Sequence, residues 1–208
     1  MPTPVFDLYL VTDRSLTRGR DLLWVVEQAL AGGVRAVQLR EKDLGGKDLF
    51  DLAEKVRNLC DRYDAAFFIN DRIDVALAVD AAGVQLGKAS LPLETARTLL
   101  GPQKLIGYSI HSVDEGQQAQ RLGADFVLFG PVYFTPSKAS FGAPQGLAAL
   151  KQTVANLARP VYAIGGITAE NTIEVRSAGA RGVALISAII SAEQPRDVAQ
   201  TIVRLLRR

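Results

Sequence analysis

Three long polar side chains that could bind an anion alternate near the end of a predicted strand. They are Gln38, Arg40 and Lys42. Successive side chains of a strand point to opposite faces, so these three are expected to share one face. A guanidinium and an ammonium that converge in this way favour a phosphate-rich ligand, since both bind phosphate oxygens. The alternative is that the two cations turn to solvent and pair with Glu41 or Asp43.

A carboxylate that could hold a divalent cation follows the third predicted strand. Asn70 and Asp71 stand at the end of that strand, and the next helix is predicted to begin near Ile73. Mg²⁺ is usually held by one or two carboxylates together with phosphate oxygens, so Asp71 is a candidate to hold Mg²⁺ on a pyrophosphate. Both residues are also good N-caps, and capping of the helix is the competing interpretation.

The single histidine, His111, follows the fifth predicted strand. Ser112 and Glu115 have the spacing of a capping box, which places His111 just before the next helix, at the rim of the predicted fold. Histidine is suited to acid–base catalysis near neutral pH, so His111 is a candidate proton carrier. A hydrogen-bonded structural histidine is the competing interpretation.

Hydroxyls, glycines and one ammonium group collect after the last three predicted strands. The residues concerned are Thr135, Ser137, Lys138, Gly165, Gly166 and Ser187. Junctions at this end of a barrel often bind phosphate through backbone N–H groups and helix N-termini. We therefore expect a second, uncharged anion site here, with the long loop 130–146 able to move over a substrate. A merely polar surface loop is the alternative.

Composition narrows the class of protein. The chain has 208 residues, 24 basic and 22 acidic, with a net charge of +2, which gives no sign of a nucleic-acid-binding face. One cysteine, Cys60, excludes an intrachain disulfide, and one histidine excludes a histidine-based metal cluster. No segment reaches the roughly 18 apolar residues of a membrane span. We expect a cytoplasmic protein that acts on small molecules and binds neither nucleic acid nor membrane, with homo-oligomerisation left open.

Short apolar runs alternate with segments of helical periodicity along the whole chain. The predicted strands are 7–12, 36–40, 66–70, 83–86, 105–109, 126–129, 161–164 and 182–186. The predicted helices are 21–31, 47–63, 73–80, 93–100, 113–122, 146–157, 170–178 and 196–206. Regular strand–helix alternation indicates a parallel sheet covered by helices on its outer face. Eight such units predict an α/β fold, a single-domain (β/α)₈ TIM barrel over residues 1–208.

A faint internal repeat favours the closed barrel over an open sheet. A helix ends in glycine before every second strand, at Gly33, Gly83, Gly123 and Gly179. Glycine just past a helix commonly supplies the left-handed residue that closes it. The recurrence at every second strand indicates repeating units of one barrel.

Seven short motifs, in order, resemble those of the thiamine phosphate synthase family. They are YLVTD (9–13), VQLREK (37–42), INDR (69–72), FGPVY (129–133), TPSK (135–138), AIGGIT (163–168) and ISAI (186–189). Members of this family are (β/α)₈ barrels that join hydroxymethylpyrimidine diphosphate to thiazole phosphate and release pyrophosphate. The resemblance therefore implies a transferase of thiamine biosynthesis.

The resemblance also implies roles for individual residues. Gln38, Arg40, Lys42 and Asn70 would bind the diphosphate, with Asp71 on Mg²⁺. Thr135, Ser137, Gly166, Ile186 and Ser187 would hold the thiazole phosphate. Ser109 and Lys138 would contact the departing pyrophosphate.

The chain departs from the family pattern after the fourth strand. The family usually has His, Gln and a metal-binding acid there, whereas this sequence has Gln85, Lys88 and Ser90. The related TenI-like thiazole tautomerases lack the metal carboxylates and use a histidine after strand five, the position of His111. A tautomerase that uses His111 as acid–base catalyst is therefore the alternative function. A non-catalytic ligand-binding regulator on the same barrel is a third hypothesis.

Overall fold

Eight parallel strands close into a barrel in the computed structural model, which describes residues 4–136 and 143–207. The strands are β1 (Leu8–Val11), β2 (Ala36–Leu39), β3 (Ala66–Asn70), β4 (Gly83–Leu86), β5 (Leu105–Ile110), β6 (Phe126–Phe129), β7 (Val161–Ile164) and β8 (Gly182–Leu185). Strand β1 pairs with both β2 and β8, and Leu10 is in register with Val37 on one side and Leu185 on the other. The predicted (β/α)₈ barrel is confirmed.

Helices connect the strands on the outside of the barrel. They are α1 (Leu22–Ala31), α2 (Gly46–Arg62), α3 (Ile73–Ala78), α4 (Leu93–Leu100), α5 (Val113–Arg121), α6 (Gly146–Asn156), α7 (Thr172–Ser177), α8 (Ser187–Ile190) and α9 (Pro195–Leu206). A short 3₁₀ helix, Arg14–Leu16, follows β1. The four-residue helix α8 was not predicted, because four residues are too few to show a helical period.

Aromatic rings fill the amino-terminal half of the barrel. Phe6 stacks on Tyr162 with 4.8 Å between ring centroids, and the Tyr162 hydroxyl donates to the Phe6 carbonyl at 2.9 Å. Tyr9, Phe68 and Phe126 pack edge-on around them, all fully buried. Eight strands leave an interior just wide enough for side chains, so this half of the barrel is solid. A ligand that enters the barrel must therefore lie above these rings, towards the carboxyl ends of the strands.

The outer face of the barrel packs against the helices. Helix α1 shows how the sequence directs this: Asp21 caps it by accepting from the Leu23 N–H at 2.6 Å. Its buried side chains, among them Val26 and Leu30, recur at helical spacing and face the sheet. The single cysteine, Cys60, is buried on α2, and burial raises the pKa of its thiol to about 12. It therefore packs as a small hydrophobic residue.

The repeated glycines have two different roles. Gly33, Gly123 and Gly179 have positive φ angles of 103°, 102° and 95°, the left-handed conformation predicted for them. Gly83 does not adopt it: a Cβ on Gly83 would lie 1.9 Å from the carbonyl oxygen of Leu105. The absence of a side chain there allows β4 and β5 to approach, a requirement that a helix-ending pattern does not reveal.

No helix in the described part of the chain is both long and apolar enough to cross a membrane.

Candidate active site at the carboxyl ends of the strands

Amide and hydroxyl groups line the upper interior of the barrel, above the aromatic rings. Gln38 on β2 and Gln85 on β4 are buried and point inward. The Gln38 amide donates to the Tyr9 hydroxyl at 3.4 Å, and the Gln85 amide donates to Ser109 Oγ at 3.1 Å. Asn70 pairs in register with Gln85 on the neighbouring strand. The structure thus brings together Gln38, Asn70 and Ser109, three of the predicted binding residues, on one interior surface.

The two cations after β2 are not held by the neighbouring acids. Arg40 is half-buried and Lys42 is exposed, and neither forms an ion pair with any residue in 4–136 or 143–207. The alternative interpretation, pairing with Glu41 or Asp43, is therefore wrong for the described chain. Strand alternation explains only part of this geometry, because β2 ends at Leu39 and Lys42 lies in a turn.

Arg14 binds the two acids instead. Its guanidinium donates to Glu41 at 3.2 Å and to both oxygens of Asp43 at 2.6 and 2.5 Å. The hydrogen bonds from Arg14 lower the pKa of the Asp43 carboxyl, and Asp43 in turn raises the pKa of Arg14. Both groups therefore stay charged near neutral pH. Arg14, in the 3₁₀ helix that follows β1, thus compensates the negative charges of Glu41 and Asp43.

The Asp71 carboxylate connects β3 to the loop after β4. Asp71 has a positive φ of 60°, and its carboxylate accepts hydrogen bonds from the Asn70 side-chain amide at 2.7 Å and from the Ser90 hydroxyl. Ser90 Oγ also accepts the Gly87 backbone N–H at 2.7 Å. The competing interpretation, a helix cap by Asn70 or Asp71, is wrong: the N-cap of α3 is Arg72, with no side-chain cap hydrogen bond. Asp71 thus faces the site.

A divalent cation would find one carboxylate here. Within the residues that the structure describes, no three His, Cys, Asp or Glu side chains are close enough to hold a metal ion. Mg²⁺ often binds through one or two carboxylates, with phosphate oxygens and water completing its octahedron. Asp71, beside the Ser90 hydroxyl, fits this arrangement once a diphosphate supplies further oxygens.

His111 lies at the rim of the mouth. Its side chain is about half exposed, and its Nδ1 lies 3.2 Å from a Glu115 carboxylate oxygen that also accepts the His111 backbone N–H at 2.6 Å. Ser112 caps α5 by accepting from the Glu115 N–H at 3.2 Å, as predicted. In a full capping box the Glu115 side chain would accept the backbone N–H of Ser112, but here it accepts the backbone N–H of His111. The carboxylate thereby orients the imidazole.

Backbone contacts build the opposite side of the mouth, after β6 and β7. The N–H of Val132 donates to the Ile164 carbonyl at 2.9 Å, and that of Tyr133 to the Gly165 carbonyl at 3.0 Å. Gly165 and Gly166 have positive φ angles of 97° and 65°. A Cβ on Gly166 would lie 2.5 Å from the Phe134 carbonyl oxygen. The two glycines therefore let the loop after β6 pack on the end of β7.

The remaining predicted residues follow β6 and β8. Thr135 is half-buried at the end of the first described segment, whereas Ser137 and Lys138 lie outside the described residues. Ile186 precedes α8 as its N-cap, and Ser187 is the exposed first residue of that helix. Thr135, Gly166 and Ser187 thus all follow strands at the same end of the barrel.

A family model described as thiamine monophosphate synthase matches residues 8–189, which include every site residue considered above. The chain belongs to the thiamine monophosphate synthase family. A relative from Geobacter sulfurreducens is 53% identical over 97% of this chain and 94% of its own length. The thiamine-phosphate synthase of Desulfitobacterium hafniense is 44% identical over 97% of this chain and 98% of its own length.

A solved structure of the family has the same architecture. The thiamine phosphate pyrophosphorylase of Pyrococcus furiosus superposes with a TM-score of 0.89 at 38% identity, covering 97% of this chain and 96% of its own. Together with the sequence relatives, it confirms the predicted family and the predicted enzyme type, a thiamine phosphate synthase.

Sequence reasoning missed Arg14 and the role of Glu41 in this member of the thiamine monophosphate synthase family. Arg14 and Glu41 are 27 residues apart, so no local pattern links them. A signal was nevertheless present: in a parallel barrel the ends of consecutive strands are neighbours, and two acids after β2 call for a cation after β1 or β3. The sequence offers Arg14 and Arg72 at those positions, and the structure shows that Arg14 is the partner.

Proposed function

We propose that the charged side of the mouth binds hydroxymethylpyrimidine diphosphate and that the glycine-lined side binds thiazole phosphate. The observation that carries this proposal is the pair Arg40 and Lys42, left without acidic partners in the described chain beside Asn70 and Asp71. Arg40 is half-buried, and a half-buried charge without a partner is costly unless an anion occupies the site. A diphosphate supplies that anion.

The chain's own groups then promote cleavage of the carbon–oxygen bond to the diphosphate. The electron pair of that bond leaves with the pyrophosphate, and the electron-rich pyrimidine spreads the positive charge that develops on the methylene carbon. Arg40, Lys42 and Lys138 stabilise the negative charge on the leaving group, and Ser109 donates a hydrogen bond to it. The thiazole then bonds to the methylene carbon. When bound at Asp71, Mg²⁺ supplies further positive charge to the diphosphate.

The second substrate needs orientation more than charge. Thr135, Ser137 and Ser187 would donate hydroxyl hydrogen bonds to its phosphate, and the backbone at Gly166 and Ile186 would approach it closely. A monophosphate held by neutral donors leaves the cations free for the diphosphate. Holding both substrates at one mouth turns their reaction into an effectively unimolecular step. The enzyme, with Mg²⁺ as its cofactor, is proposed to act in the cytoplasm.

A product assay tests this proposal. Purified protein is incubated with both phosphorylated substrates and Mg²⁺, and thiamine phosphate and pyrophosphate are measured. Equal amounts of the two products are expected, with no product when either substrate is omitted. Supplying thiazole phosphate that is already aromatic removes any need for a tautomerase step. Failure to form thiamine phosphate under these conditions would contradict the synthase assignment.

A thiazole tautomerase is the second candidate, and the pairing of His111 with Glu115 favours it. A carboxylate 3.2 Å from the imidazole Nδ1 fixes the ring so that its other nitrogen can carry a proton to and from a substrate. Ser90, which donates a hydrogen bond to Asp71, also favours the tautomerase, because a second carboxylate at its position would bind a metal more tightly. Aromatisation of the thiazole precursor, abolished by His111→Asn, would support this function if no thiamine phosphate is formed.

A further inference from the structure

Glu41 stands between Arg40 and Lys42 in the sequence, yet its side chain is almost fully buried. Its side chain is 3% exposed. It accepts hydrogen bonds from the Thr12 hydroxyl at 2.7 Å, from the Arg14 backbone N–H at 3.1 and 3.2 Å, and from the Arg14 guanidinium at 3.2 Å. A buried carboxylate needs such partners, and all of these come from the segment that follows β1.

The same arrangement fixes the backbone next to the cations. Thr12 is fully buried, and its Oγ1 accepts the backbone N–H of Arg40 at 2.9 Å while its hydroxyl donates to Glu41. The start of the β2–α2 segment is therefore tied to β1 by two side chains. A residue that is anchored in this way presents its side chain in a restricted set of directions.

Arg14 forms ion pairs with Glu41 and Asp43, the two acids that alternate with the cations in the sequence. Its contacts occupy Glu41 and Asp43, the two carboxylates adjacent in sequence to Arg40 and Lys42. Charged groups left without a partner would rearrange to satisfy one another, because an uncompensated half-buried charge is costly. Without Arg14, Glu41 and Asp43 would compete with the ligand for Arg40 and Lys42.

We propose that Arg14 is a positioning residue that, through its bonds to Glu41 and Asp43, keeps Arg40 and Lys42 available to the diphosphate. This inference rests on the proposed assignment of the diphosphate to the β2 side. Arg14 is not expected to touch the substrate. Its effect is to hold Glu41 and Asp43 away from the two cations and to keep the segment after β2 in its binding conformation.

Steady-state kinetics of Arg14→Ala with each substrate varied in turn tests the inference. We expect the KM for the diphosphate substrate to rise by about tenfold, which is the size of the coupling usually found between residues in contact. The KM for thiazole phosphate should stay within about twofold of wild type. Arg62→Ala is the matched control, since Arg62 forms a surface ion pair with Glu27 between α2 and α1. It should change neither KM.

A second variant separates positioning from general structural damage. If Arg14 acts by occupying the acids, then removing the charge of one of them in Arg14→Ala/Asp43→Asn should recover part of the lost affinity for the diphosphate. A variant that is merely damaged would gain nothing from a second substitution. Should Arg14→Ala fail to fold, Arg14→Lys provides the same test. A lysine ammonium cannot form the two parallel hydrogen bonds to Asp43 and also the bond to Glu41. An intermediate rise in the KM is then expected.

Arg40→Ala distinguishes failure of this inference from failure of the proposed function. If Arg40→Ala raises the KM for the diphosphate and Arg14→Ala does not, the positioning role is wrong and the diphosphate site stands. If neither variant changes that KM, the diphosphate site itself is wrong. An equal rise for both substrates in Arg14→Ala, without rescue by Asp43→Asn, would also overturn the positioning role.

Discussion

The two sides of the barrel mouth are built in different ways. After β2 to β5, side chains form the surface: the amides of Gln38 and Gln85, the carboxylate of Asp71, and two cations whose acidic neighbours are bound by Arg14. After β6 and β7, the backbone of residues 132–134 lies on Gly165 and Gly166, and the contacts are main-chain hydrogen bonds. One side offers charge and the other offers close approach.

The difference has a consequence for mutation. Under the proposed function a charged side chain at the mouth contributes to ligand binding, and its removal should leave the barrel underneath intact because the aromatic core lies deeper. A glycine that permits two backbones to touch contributes to stability, and under the proposed function to binding as well. We therefore expect substitutions on the charged side to change binding and turnover without changing stability, and substitutions on the glycine side to change stability as well.

Lys138→Ala should have the largest effect on activity. The ammonium is proposed to stabilise the departing pyrophosphate, and loss of one such group typically lowers kcat by about 10² to 10³. The measurement is kcat for thiamine phosphate formation with aromatic thiazole phosphate supplied. Lys151→Ala, on helix α6, is the control and should be as active as wild type. A Lys138→Ala enzyme with wild-type kcat would remove this residue from the mechanism.

Gly166→Ala should lower stability by about 1 to 3 kcal/mol, since alanine is strained at a positive φ and its Cβ would strike Phe134. Thermal unfolding measures this change. Gly19→Ala is the matched control, because Gly19 has a φ of 78° and no atom within 4 Å of the added Cβ. Gly166→Ala should be the less stable of the two variants and should also bind thiazole phosphate more weakly. Equal losses in both would show that backbone strain alone is responsible.

Ser90→Asp should lower the Mg²⁺ concentration needed for half-maximal activity by about threefold to tenfold, because a second carboxylate beside Asp71 adds a ligand for the cation. Titration of activity against Mg²⁺ gives the result, with Ser90→Asn as the uncharged control. An unchanged metal dependence, or wild-type activity that survives complete chelation, would contradict a metal site at Asp71.

His111→Asn should have the smallest effect, less than about threefold on thiamine phosphate formation from aromatic thiazole phosphate. The proposed synthase mechanism gives this residue only an accessory role, whereas general acid–base catalysis contributes about 10² to 10⁴ in rate. Glu115→Gln, which removes the carboxylate charge next to the ring, should behave in the same way. A loss of 10² or more in His111→Asn would favour the tautomerase.

Much of the fold was predictable because its signals are local. Apolar periodicity located all eight strands, and strand–helix alternation gave the barrel, since parallel strands in sequence order pair with their neighbours. The positions of Gln38, Asn70 and Ser109 followed from the rule that barrel sites lie at the carboxyl ends of strands. These predictions needed no knowledge of distant contacts.

The rest depended on contacts between distant residues. Pairing of Arg14 with Glu41 joins two loops, and a period-two pattern cannot place Lys42 once β2 has ended at Leu39. The Gly165–Gly166 pair looked like a phosphate site, yet its backbone approach to residues 133–134 is a structural reason for glycine that no sequence pattern shows. Asp71 looked equally like a helix cap, until the structure placed its carboxylate against Ser90.

The division of the mouth into a diphosphate side and a thiazole phosphate side is tested most directly by calorimetric titration of each substrate alone. Wild type, Arg40→Ala and Ser187→Ala are compared. Loss of a charge-assisted contact is worth about 1.5 to 3 kcal/mol, so Arg40→Ala should raise the Kd of the diphosphate substrate at least tenfold and leave that of thiazole phosphate unchanged. Ser187→Ala should show the reverse selectivity with a smaller change. Variants that weaken both substrates equally, or neither, would contradict the division.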